Sequence, residues 1–170
     1  MKTIAQSDAL TKLYNRAFTE KQIIQYFSQG NTAGVMMILD IDNFKRINDN
    51  RGHLCGDRIL IRFSQILSEV FPGEIIGRIG GDEFLIFAKG NFTQQAISQK
   101  ADQIIRKFDQ SFLSKDPIAP ATCSIGISRA PLDGGSFPPL FDKADRALYH
   151  VKRSGKHGFC FYGKNFAALY

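Results

Sequence analysis

The sequence has few cysteines, and none of them is paired. Cys55, Cys123 and Cys160 are odd in number, far apart and outside any C-x-x-C motif, which argues against a disulfide framework or a zinc site and fits a reducing compartment. Also missing is any run near the ~20 consecutive apolar residues of a spanning helix. "MKTIAQSDAL" lacks the apolar core of a secretory signal. A cytoplasmic location without membrane contact is the expectation. No low-complexity run, internal repeat or dividing linker occurs, so disorder is excluded and residues 1–170 are expected to form a single domain. Basic clusters are scarce too. The 22 Lys+Arg against 16 Asp+Glu leave a net +6, which favours phosphate-bearing partners. These charges are scattered, and the longest cluster, at Lys152 and Arg153, closes what reads as a helix. Nucleic acid is therefore not expected as a partner.

What is present is an interleaving of helical and strand patterns. "NRAFTEKQIIQYF" places Asn15 to cap a helix whose Phe18, Ile23, Ile24 and Phe27 lie mostly on one face. The unbroken apolar run Val35 to Leu39 reads as a strand buried on both faces, ending abruptly at Asp40. Apolar residues recur at helical spacing over 57–70. "EIIGRI" and "FLIFA" flank Gly80-Gly81, two glycines suited to the positive φ of a tight two-residue hairpin. A third helix (94–110), a strand (121–128), a fourth helix (140–154) closed by Gly155 and a last strand (159–162) complete the pattern. The hairpin breaks the strand–helix alternation, so the pattern predicts an α+β fold with antiparallel pairs and helices packed on the sheet.

Three acidic groups then stand out: Asp82 and Glu83 at the hairpin tip, and Asp40 at the end of a buried strand. Carboxylates crowded within ~4–6 Å raise one another's pKa unless a cation neutralises them, and hard divalent ions take oxygen ligands. Alone, the tip pair would be ordinary exposed turn residues.

The surrounding blocks decide otherwise. "DALTKLYNR" (8–16), "LDIDNFKRINDNRGHLCGDRIL" (39–60), "RIGGDEF" (78–84) and "ADRALYHVKRSGKHG" (144–158) occur in order, and together they resemble the GGDEF family, the diguanylate cyclase domain of bacterial signalling. The resemblance covers nearly the whole chain. It implies a palm-like nucleotidyl-cyclase fold, with a central, mostly antiparallel sheet flanked by helices and carrying a GGDEF β-hairpin. It further implies a reaction that joins two GTP molecules into cyclic di-GMP with release of two pyrophosphates. By that similarity Asp40 bridges two Mg2+ ions (Mn2+ as a substitute), Asp82 binds metal and assists deprotonation of the attacking hydroxyl, Glu83 helps hold the second ion, and the main-chain oxygen of Ile41 completes the coordination. Asp42 is expected to cap the following turn rather than bind metal.

Asn48 and Asp57 fall at the family's guanine contacts, and a carboxylate that accepts from N1–H and the 2-amino group distinguishes guanine from adenine. Leu60 is expected to pack on the base. Main-chain donors at Asn43 and Phe44 and the cations Lys45, Lys152 and Lys156 are expected to face the triphosphate. Asp8 and Arg16 are expected to form a structural ion pair or to position the entry helix, and not to perform chemistry. The stretch "FPGE" puts Phe71 and Glu74 where many members carry the R-x-x-D that binds product, so no working product-inhibition site is expected. His157, where the family often has asparagine, is expected to change little. Two GTP molecules require a second GGDEF domain, hence a homodimer. No heptad-bearing or sensory segment precedes Asp8, which leaves the isolated domain open to being monomeric and slow. The competing reading is a GTP-binding regulatory module without turnover.

Overall fold

The protein is described by a computed structural model over residues 6–112 and 121–163. The elements run β1 (Tyr14–Asn15), α1 (Arg16–Ser28), β2 (Gly34–Ile41), α2 (Phe44–Arg51), α3 (His53–Val70), β3 (Ile75–Arg78), β4 (Glu83–Lys89), α4 (Gln94–Gln110), β5 (Cys123–Ala130), α5 (Phe137–Arg153) and β6 (Gly158–Phe161). One six-stranded sheet has the order β1-β3-β4-β2-β5-β6. Its four central strands pair antiparallel, while β1 on β3 and β6 on β5 are parallel. The α+β expectation holds, in the form of a mixed sheet with an antiparallel centre.

β2 lies between β4 and β5 and is buried at all eight positions, which explains its continuous apolar run. Strand alternation divides its side chains. Val35, Met37, Leu39 and Ile41 join a core with Ile59, Phe63 and Ile66 of α3 and Ile104 and Phe108 of α4. Met36 and Ile38 join a second core with Ile23 of α1 and Leu140, Ala144 and Leu148 of α5. The next residue in that second set is Asp40, so the period of two aims its carboxylate toward α5.

On the same face α5 lies hard against β5. A Cβ on Gly126 would stand 2.1 Å from the Ala144 carbonyl oxygen and 2.2 Å from the Leu148 nitrogen. Both are backbone atoms, so relief requires moving the helix. Gly126→Ala is expected to cost about 1–3 kcal/mol or more, measured by denaturant unfolding; an unchanged midpoint would contradict this packing.

Several local expectations are corrected. In α1 the buried residues are Thr19 and Ile23, while Ile24 is 50% exposed; the helix touches the sheet along a narrower stripe than its sequence suggests. Asn15 does cap it, its Oδ1 accepting from Phe18 N–H at 2.9 Å. The helix expected over 57–70 begins earlier, at His53, and α2 precedes it. Neither Gly80 nor Gly81 has a positive φ. The hairpin is wider than a two-residue turn, since Ile79 and Gly80 both donate to the Glu83 carbonyl, at 2.9 and 3.3 Å. Gly80 instead leaves room for a side chain, because a Cβ there would sit 3.0 Å from Glu83 Oε2.

Candidate functional site

Asp40 stands directly opposite Glu83 across the β2–β4 pair, and Ile41 N–H donates to the Asp82 carbonyl at 3.2 Å. The strand register thus brings the three acidic residues together at one end of the two central strands. Like charges directly opposed across strands are unfavourable, and Asp40 is only 7% exposed. Burial pushes its carboxyl up to about 6; the Lys152 ammonium opposes this, and the Asp82 and Glu83 charges add to it. Glu83 is raised by burial and then by Asp82 and Asp145, against Lys152 and Arg16. Lys152 Nζ lies 2.8 Å from Asp40 Oδ1. Apart from this ammonium the buried oxygen has no partner, so it keeps unused acceptor capacity.

The hairpin tip is held by a residue the sequence reading passed over. Arg78 donates through Nε to the carbonyls of Gly80 and Gly81, at 3.2 and 3.1 Å, and through Nη2 to Gly81 at 2.7 Å. Its Nη1 pairs with Asp8 at 3.2 Å. Asp8 in turn accepts from Thr11 N–H and Oγ1 at 2.8 and 2.7 Å. Burial raises the Asp8 carboxyl, but Thr11 and Arg78 outweigh it and hold the group below its ordinary range. The expected Asp8–Arg16 pair is therefore replaced by Asp8–Arg78, while Arg16 lies 5.9 Å from the Phe141 ring centre. An arginine two residues before a glycine pair was the available signal.

Just beyond the same end of β2, Asn43 adopts a left-handed conformation with φ 54° and starts α2. The first bond of that helix runs from Ile47 N–H to the Asn43 carbonyl at 3.1 Å. The N–H groups of 44–46 are left without an intrahelical acceptor, as at any helix start. Lys45 is exposed beside them. Lys156, in the exit turn of α5, donates to Asn43 Oδ1 at 2.7 Å. Asn48, on α2, packs its amide over Gly56 of α3, where a Cβ would lie 1.9 Å from Asn48 Oδ1. That buried oxygen has no hydrogen-bond partner. Asp57, the next residue on α3, is half-buried. Leu60 is 2% exposed and belongs to the core with Ile47 and Ile59, so its first role is structural.

Asp42 does not cap the turn. Its carboxylate accepts from Thr122 Oγ1 and Ser124 Oγ, both at 2.7 Å, and from His157 N–H at 3.1 Å. It ties the β2 exit to β5 and to the start of β6. His157 is also more than a neutral replacement, because its Nε2 lies 2.8 Å from Asp109 Oδ2 on α4. A cavity of about 330 Å³ lined by Asn43, Arg46, Ile47, Asn50, Arg51 and Thr122 occupies a different flank of α2 from Asn48. It is not the Asn48–Asp57 site.

The family model for "Diguanylate cyclase, GGDEF domain" matches residues 5–158. The chain belongs to the GGDEF domain family. Among curated relatives it is 32% identical to the bifunctional diguanylate cyclase/cyclic di-GMP phosphodiesterase MucR of Pseudomonas aeruginosa, over 94% of this chain and 24% of MucR. It is 33% identical to the diguanylate cyclase DgcS of Shewanella oneidensis, over 90% of this chain and 51% of DgcS. It thus spans about a quarter to a half of these proteins' lengths. The solved GGDEF domain of YfiN (TpbB) from Pseudomonas aeruginosa superposes with a TM-score of 0.87 at 28% identity, covering 96% of this chain and 98% of that one.

Two features bear on how a GGDEF domain of this sequence would handle ligands. Among the described residues, no group of three or more His, Cys, Asp or Glu side chains is gathered closely enough to hold a metal ion by itself. The expected acidic trio is adjacent and electrostatically linked but is not a closed ligand set. Such a donor set of hard oxygens fits Mg2+, which is commonly held by one or two carboxylates together with substrate phosphates. The second feature is the "FPGE" stretch. Phe71 is 1% exposed, with Lys100 Nζ 4.8 Å from its ring centre, and Glu74 Oε2 accepts from Lys89 N–H at 2.8 Å.

Proposed function

We propose that this GGDEF domain, with residues 1–170 as one unit, is a diguanylate cyclase. It condenses two GTP into cyclic di-GMP and two pyrophosphates, the 3′-hydroxyl of each GTP attacking the α-phosphate of the other across a cytoplasmic homodimer. The observation that carries this reading is the buried Asp40 carboxylate, with unused acceptor capacity, facing Glu83 and Asp82 at the end of the central strands. Asp40, Asp82, Glu83 and the main-chain oxygen of Ile41 would hold two Mg2+ ions, which supply charge stabilisation to the attacking and leaving oxygens.

The chain's own groups do the rest. Asp82, half-buried at the tip and held there by Arg78, accepts the proton of the attacking hydroxyl. The N–H groups of Asn43 and Phe44, with Lys45, Lys152 and Lys156, bind the triphosphate. Asp57 accepts from guanine N1–H and the 2-amino group, and the Asn48 side chain, whose Oδ1 has no partner, completes the purine edge; Leu60 supports this site from the core beneath it.

Mass spectrometry after incubation with GTP and Mg2+ tests the reading. Cyclic di-GMP is expected, falling by roughly 10²–10⁴ in Asp82→Ala. The second reading, a GTP-binding module without turnover, draws on the 34% identical relative PdeR of Escherichia coli, named a cyclic di-GMP phosphodiesterase. It predicts tight GTP binding and no product at high protein concentration.

Product inhibition through the "FPGE" stretch is absent in this account, because a buried phenyl ring and a carboxylate engaged by Lys89 N–H offer no cationic contact to a cyclic dinucleotide. Calorimetry is expected to show no tight cyclic di-GMP binding that Phe71→Ala and Glu74→Ala both abolish. Finding such binding would contradict it.

A further inference from the structure

Two of the three lysines assigned to the triphosphate already hold a partner. Lys152 Nζ is 2.8 Å from Asp40 Oδ1, and Lys156 Nζ donates to Asn43 Oδ1 at 2.7 Å. Both contacts run from the end of α5, or the turn just after it, to the end of β2 or the residue that starts α2. We propose that Lys152 is a resident counter-ion of Asp40 that a divalent cation must displace, and that the nucleotide triphosphate draws it away, coupling cation and nucleotide binding. This rests on the cyclase-site reading above and adds an order of events to it.

Three observations support the coupling. Asp40 is fixed near the end of the central strand with a side chain 10% exposed, whereas the Lys152 side chain is 31% exposed on a helix end. The carboxylate cannot move to water, and the flexible four-carbon stem of lysine can swing. An ammonium 2.8 Å from Oδ1 fills the space through which a cation would approach to its ~2.0–2.1 Å bonding distance. Finally, no three-ligand cluster waits in the described residues, so a cation arriving without phosphate oxygens meets few ligands and a competitor. A triphosphate at the start of α2 changes both terms at once, since it gives the cation further oxygens and gives Lys152 a new anion. Lys156 undergoes the same exchange at Asn43 but does not touch Asp40. By linkage, whatever factor the nucleotide adds to cation affinity the cation adds to nucleotide affinity.

Mn2+ binding, followed by the free-ion EPR signal with and without a non-hydrolysable GTP analogue, tests this on the full chain. Without nucleotide, Lys152→Met is expected to bind Mn2+ about tenfold more tightly than wild type, within the usual range of coupling factors. Lys152→Gln should behave alike, and Lys156→Met should leave nucleotide-free Mn2+ affinity unchanged. The analogue should tighten Mn2+ binding in wild type by a larger factor than in Lys152→Met. Equal or weaker Mn2+ binding in both Lys152 variants, each shown folded by its thermal melt, overturns the displacement. Should Asp40→Asn leave Mn2+ binding intact, the cation sits elsewhere and the cyclase-site reading falls, taking this proposal with it.

Discussion

Asp40→Asn is expected to abolish cyclic di-GMP formation, lowering it by roughly 10²–10⁴, and at the same time to stabilise the metal-free protein. The two effects share a cause. In the fold the carboxyl is raised from 3.8 to about 6, first by burial and then by its acidic neighbours against Lys152. The folded state therefore binds more protons than the unfolded chain between those values, and stability falls as pH rises through that window. A shift of this size corresponds to about 2–3 kcal/mol, lost in wild type at pH 7.5 and absent in the amide. With EDTA present, the melting temperature of Asp40→Asn should exceed that of wild type by roughly 3–8 °C at pH 7.5. The gap should close as pH falls to about 4. A lower melting temperature for the variant at pH 7.5 would contradict a charge-strained Asp40.

The second large effect concerns the base. Asp57→Asn is expected to weaken GTP binding by roughly 10²-fold while leaving weak ATP binding unchanged. The carboxylate offers two acceptors to the N1–H and 2-amino donors, whereas an amide presents a donor against one of them. Hydrogen bonds to charged groups contribute about 1.5–3 kcal/mol each, and a mismatched donor adds its own cost. Competition against a fluorescent GTP analogue measures both nucleotides. Equal loss for GTP and ATP would place Asp57 in general support of the fold, and unchanged GTP affinity would remove it from the base site.

The sequence was most legible where one physical term dominates. β2 is apolar because it is buried on both faces, and α4 was readable to the residue because four apolar positions recur on its inner face and Thr93 caps it. α2 was missed because only Ile47 of its eight residues is buried; a helix held by one anchor leaves no period to see. The glycines of the hairpin were assigned positive φ because that is their commonest use in two-residue turns, whereas in the wider loop Gly80 gives space beside Glu83 and a Cβ on Gly81 would meet nothing within 4 Å. Pairings across the fold were the least accessible. Asp8 meets Arg78 seventy residues away, and Asp42 meets Ser124 eighty-two away. Such contacts depend on strand order, which local pattern does not carry. That Asp40, Asp82 and Glu83 converge was legible only through four motif blocks in order; that Lys152 would stand against Asp40 was not.

The central claim is that these carboxylates gather a divalent cation beside a purine triphosphate, and a crystal grown with Mn2+ and a non-hydrolysable GTP analogue tests it most directly. The account predicts an anomalous peak bonded to Asp40 at about 2.0–2.2 Å, with Lys152 moved onto the phosphates and guanine against Asp57. Asp40 still paired with Lys152 and no peak between it and Asp82, with the nucleotide bound, would contradict it.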